Sequence, residues 1–128
     1  MMTIRKEQKQ AFVERELKDF EDRMVEHLVS VFPDSCEALG DPAVRRLIRE
    51  GIARAARYGI ESERGVCIYI DAMFAYGRGF DADPNLPWAA RILTDPSIDG
   101  PLLRADELLN ATVEHLEEAQ GIRADEAI

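Results

Sequence analysis

Cysteine and histidine are scarce in this chain, and their spacing is unhelpful to chemistry. Cys36 and Cys67 are the only cysteines among 128 residues, and no CxxC pair occurs. That excludes a dense disulfide framework or a thiolate zinc knuckle. Two reduced thiols in apolar surroundings are expected instead. The two histidines, His27 and His115, fall on separate helical segments, and there is no HExxH. Each reads as a surface or capping residue, so neither a metal nor any other cofactor is expected. Walker, GxGxxG and GxSxG signatures are missing as well, which removes the usual phosphate cradles and nucleophile elbows. Carboxylates abound, but abundance is not pairing. A small enzyme with a carboxylate-based site, such as Asp81 with Asp83, is the alternative from the enzyme class; it needs a cleft and a raised pKa.

Positive charge is also in deficit. Lysine and arginine number 16 against 25 aspartates and glutamates, a net charge of −9. Such a surface is repelled by nucleic-acid backbones and anionic membranes, so neither is an expected partner. No apolar run approaches the ~20 residues a membrane span requires. The opening MMTIRKEQKQ carries charge with no apolar stretch after it, so no signal peptide is expected and the cytoplasm is the expected location. Hairpin signals are lacking too. Asp99-Gly100 is followed by proline and a helical pattern, which disqualifies it as a strand turn.

What remains is helical. With 46% hydrophobic and 32% charged residues, the chain can build a core without metals or disulfides. Three-and-four apolar spacing recurs in every long segment. The expected fold is a single all-α domain over residues 1–121, with about five main helices in bundle-like packing and a flexible tail at 122–128. The first helix spans 3–32, with Leu17, Phe20, Met24, Leu28 and Val31 as one stripe and Ile4 and Phe12 upstream. A short turn at 34–39 closes on Gly40. Asp41-Pro42 then opens a helix to about residue 58, with Asp41 as cap and Gly59 as stop. Gly51 inside it suits close approach of another helix.

Ser62 caps a third helix over 63–76, whose core stripe is Val66, Tyr69, Ile70, Met73 and Phe74. VCIYI alone would fit a strand, but the helical spacing continues past it. Asp71 is expected at this helix's exposed edge or capping a neighbour. A short helix covers 88–93. The last helix places Leu102, Ala105, Leu109, Val113 and Leu116 on its apolar side and stops at Gly121.

Two surfaces invite a functional reading. On the second main helix Val44, Leu47, Ile48, Ile52 and Ala55 fill one arc, while Arg45, Arg46, Arg49, Arg54 and Arg57 fill the other. Either these arginines pair with acids on neighbouring helices, or they form a docking face for an acidic partner. Arg45, Arg46, Arg49 and Arg57 are the candidates for docking. The second surface is the rigid turn at 77–88, with Asp81, Asp83 and Trp88 as candidates. Asp81, Asp83 and Asn85 alternate as in a calcium loop, but Leu86 and Ile92 stand where glycine and glutamate belong. Turn formation is the expected job of these acids, with Phe80 anchoring the loop and Trp88 half exposed.

FEDRM at 20–24, YGIESERGVCIYIDAMFAYGRGFD at 58–81 and DPNLPWAARIL at 83–93 together resemble a family of small bacterial proteins associated with type VI secretion gene clusters. The resemblance spans roughly residues 20–93. It carries no catalytic signature and no functional residues. It implies a cytoplasmic accessory role without enzymatic activity: an effector adaptor or chaperone, or alternatively an immunity protein that neutralises a toxin. The implied partner is another protein, such as a secretion effector or a spike or tip component; a homodimer is a further option.

Overall fold

The structure is a computed structural model that describes residues 6–116, with side chains described from residue 14 onward. Among the described residues there are six α-helices, one 3-10 turn and no strand. In chain order these are α1 (Lys6–Val31), α2 (Pro33–Leu39), α3 (Asp41–Ala56), α4 (Glu63–Tyr76), the 3-10 turn Phe80–Ala82, α5 (Pro87–Thr94) and α6 (Pro101–Glu114). The all-α expectation therefore holds, and the short turn at 34–39 is a helix in its own right. Ile4, the Phe12 side chain, the Gly121 stop and the 122–128 tail lie outside the described residues.

Local chemistry sets the helix ends. Gly40, at φ +84°, donates to Cys36 O at 2.9 Å and so closes α2. Its own carbonyl accepts from Val44 N at 3.0 Å and opens α3. Gly40 rather than Asp41 is thus the cap; the acid sits one position later, inside the first turn beside Pro42. There it still favours the positive end of the helix dipole. Ser62 caps α4 as expected, its Oγ accepting from Gly65 N at 3.0 Å.

The core is built around α4, which packs against α3 on one side and α6 on another, with α1 also in contact. Tyr69, Ile70, Met73 and Phe74 are fully buried. Phe32 reaches Phe74 with ring centroids 5.8 Å apart, and Phe80 reaches Tyr69 at 5.0 Å. Gly51 makes the α3–α4 contact close: a Cβ there would lie 2.5 Å from Ile70 Cγ1. Burial of this apolar surface, at roughly 25 cal/mol per Å², is the main stabilising term.

Two expected core stripes are only partly buried. In α1, Phe20, Met24 and Leu28 are buried, but Leu17 and Val31 at the ends of the stripe are exposed. In α6, Ala105 is buried together with Leu108 and Ala111, whereas Leu102, Leu109, Val113 and Leu116 face solvent. Both cysteines are free; Cys36 is buried and Cys67 half-buried. No helix among the described residues is long and apolar enough to cross a membrane.

Candidate functional site

The arginine side of α3 is mostly occupied by its own neighbours. Glu21, on α1, is the one charged residue in the buried set. Arg49 grips it with two bonds, Nε to Oε2 and Nη2 to Oε1, both at 3.1 Å. Arg45 Nη1 adds a third at 3.1 Å and also reaches Asp22 Oδ1 at 2.8 Å, while its Nε reaches Asp41 at 2.9 Å. The Arg49 bonds, with those of Arg45, hold the Glu21 carboxyl below its ordinary range despite burial. Arg54 bonds Glu50 at 3.1 Å, and Arg78 meets the same carboxylate at 2.7 Å. Of the two readings of this face, pairing with neighbouring acids describes Arg45, Arg49 and Arg54. Arg46 and Arg57 are exposed and form no ion pair among the described residues.

The 77–88 turn is likewise anchored inward. Asp81, read from the sequence as a docking candidate, has a side chain only 11% exposed. The Tyr58 hydroxyl donates to its Oδ2 at 2.7 Å, and Arg54 Nη1 to its Oδ1 at 3.3 Å. Burial and this neighbouring carboxylate push the Tyr58 hydroxyl up to about 12. Asp81 therefore ties the turn to α3 and is not presented to a partner. Asp83 accepts from Asn85 N at 2.9 Å, the turn-forming role expected of it. Trp88 is buried rather than half exposed. Its ring stacks flat on His115 with centroids 4.9 Å apart and meets Tyr76 edge-on at 5.1 Å. The Tyr76 hydroxyl donates to Thr112 O at 2.6 Å, which fixes α6 against α4.

An apolar surface without cover lies on α6 and just past its end. At 100° per residue, Leu102, Leu109 and Val113 fall within one narrow arc, and Leu116 follows beyond the C-cap His115. They are 58%, 37%, 58% and 55% exposed. Asp106 lies at the edge of the arc, between Leu102 and Leu109, and is bound by Arg64 of α4. Glu107 and Glu114 lie on the other flank of the helix, toward Trp88, Arg91 and Ile92 of α5. Exposed apolar side chains grouped on one side of a helix mark a candidate interaction surface. Sequence reasoning missed it by merging two arcs into one. Ala105, Leu108 and Ala111 form the arc that faces the core, with Leu108 fully buried between two alanines, and Leu102, Leu109 and Val113 form another.

A shallower apolar groove of about 190 Å³ lies where α1, α3 and α4 meet. Leu17, Phe20, Ile52 and Val66 line it, with Glu16, Glu61 and Glu63 at its rim. It accounts for the exposure of Leu17. No site among these surfaces brings a nucleophile together with a base and an oxyanion donor.

No protein-family model, curated protein or solved structure matches the chain.

Proposed function

We propose that this protein is a non-enzymatic, cytoplasmic protein-binding factor that receives an amphipathic helix of its partner along α6. One observation carries this reading: the exposed apolar side chains Leu102, Leu109 and Val113 on one side of α6, with Leu116 just past its end. A partner helix with an apolar stripe complements them. The chain's net charge of −9 adds long-range attraction for a basic partner. This moves the proposed surface from the arginine side of α3 to α6.

The biological setting we propose is the one the family resemblance implies: an adaptor or chaperone for a type VI secretion effector or spike component. An immunity protein that masks a toxin is the second reading, and it uses the same surface chemistry. Capture from the native cell with wild-type and Leu109→Glu/Val113→Glu protein tests the surface. The captured partner should contain a basic-flanked amphipathic helix, and a synthetic peptide of that helix should bind wild type but not the variant. Undiminished capture by the double variant would refute the α6 surface. An adaptor is then required for export without affecting toxicity, whereas an immunity protein rescues cells from the toxin. If the double variant loses self-association and nothing else, the occupant is a second copy.

A further inference from the structure

The α1–α4 contact brings together three side chains of the types that ligate metals. Cys67 and Asp71 stand one turn apart on α4 and so share a face. His27 reaches that face from α1. Its Nε2 lies 2.9 Å and 3.0 Å from the two Asp71 oxygens. The Cys67 thiol points at Asp71 Oδ2 from 4.0 Å. One ligand atom from each residue lies within 4.8 Å of the others. The sequence placed His27 at the surface or at a cap, and Asp71 at an exposed edge. The fold instead holds them against each other half-buried, at 37% and 28% exposure.

We propose that His27 Nε2, Cys67 Sγ and one Asp71 oxygen bind a borderline-soft divalent cation of the zinc class, with a fourth position open to water. The donor set selects the metal. One sulfur, one imidazole nitrogen and one carboxylate suit zinc or cobalt, whereas calcium and magnesium require oxygen-rich shells. In tetrahedral zinc sites, bonds of 2.0–2.3 Å place ligand atoms roughly 3.3–3.7 Å apart. His27 and Asp71 must spread by a few tenths of an ångström, and Cys67 must close by a similar amount on Asp71 and from within 4.8 Å on His27. Side-chain rotations accomplish both.

Burial raises the Asp71 carboxyl against the opposing pull of His27. Burial, with Asp71 beside it, pushes the Cys67 thiol up to about 11. Without a cation the thiol keeps its proton and the carboxylate is partly desolvated. A bound dication neutralises the carboxylate and displaces the thiol proton, so one proton leaves for each metal taken up through sulfur. Without a metal, His27 and the Cys67 thiol both stand against the Asp71 carboxylate as hydrogen-bond partners. This inference uses none of the α6 residues and stands independently of the docking surface.

Titration of the full chain with Co²⁺, followed by displacement with Zn²⁺, tests it. We expect one equivalent to bind with a thiolate-to-cobalt charge-transfer band, present in Cys36→Ser and lost in Cys67→Ser. His27→Ala and Asp71→Asn should each weaken binding at least tenfold. Affinity should rise about tenfold per pH unit while the thiol is protonated. Zn²⁺ should raise the melting temperature of wild type and not of Cys67→Ser, with Cys67→Ala replacing it if the serine variant fails to fold. Cobalt binding without a thiolate band, binding unchanged by the Cys67 variant, or no binding at all would overturn the proposal.

Discussion

Helices α4 and α6 have 14 residues each, and both read from the sequence as amphipathic core helices. Their fates differ. α4 buries ten of its residues, among them Tyr69, Ile70, Met73 and Phe74. α6 buries only Ala105, Leu108 and Ala111 and leaves its bulky row in solvent. The difference lies in who can approach. α4 is contacted by α3, α6, α1 and the 3-10 turn, so nearly every side of it finds cover. α6 meets α4 and α5 along one face, that of Ala105, Leu108 and Ala111, and no helix covers the side that carries Leu102, Leu109 and Val113. Apolar periodicity reports that a helix has something to bury. It does not report whether the rest of the same chain does the burying.

The contrast is broken most directly in α4. Phe74→Ala should cost about 3–5 kcal/mol, because the fully buried ring leaves a cavity under Phe32. Urea denaturation measures it, and an unchanged midpoint would remove α4 from the centre of the fold. Next comes the α3–α4 contact. Gly51→Ala drives a methyl group to 2.5 Å from Ile70 Cγ1. Overpacking of about 1–3 kcal/mol, less up to about 1 kcal/mol gained in helix propensity, should leave a net loss. A stabilised variant would mean that α3 and α4 separate freely.

The charged side of α3 should respond more weakly and only above acid pH. Glu21→Gln should cost about 1 kcal/mol at neutral pH, since Arg49 is largely exposed and solvent screens the pair. The folded pKa of Glu21 is lowered from its ordinary 4.5. Its contribution is therefore present above that value and is lost as pH falls through the lower folded one. Wild-type and variant melting curves should converge only once the pH is below that lowered folded value; a gap that persisted in strong acid would need another origin. The smallest effect belongs to α6. Val113→Gln should change stability by no more than about 0.5 kcal/mol, because the side chain is more than half exposed. A large loss would show that the row is covered within the chain itself.

The parts of the fold that were legible rest on short-range chemistry. Ser62 caps α4, Gly59 adopts φ +78° after α3, and Pro87 opens α5, all within a few residues of their cause. Long-range pairing was not legible. Nothing local announces that Glu21 would be enclosed by Arg45 and Arg49, 24 and 28 residues away. His27 meets Asp71 across 44 residues, and Tyr58 meets Asp81 across 23. The arginine cluster was visible as a pattern, and its pairing with acids was one of two readings. Only the packing of α1 on α3 separates them. The α6 row was visible too, but its exposure depends on whether another helix covers that side.

The stacking of Trp88 on His115 gives the molecule an optical gauge. Trp88 is the only tryptophan, so the intrinsic emission reports a single position. That position is the seam between α5 and α6, where the indole lies parallel to the imidazole within 4°. Protonated imidazole quenches indole emission on contact. The intensity therefore reads the separation of the two rings. A ligand that lifts or tilts α6 would be seen in the unlabelled protein as a change in brightness, and one that docks without moving it would leave the signal still.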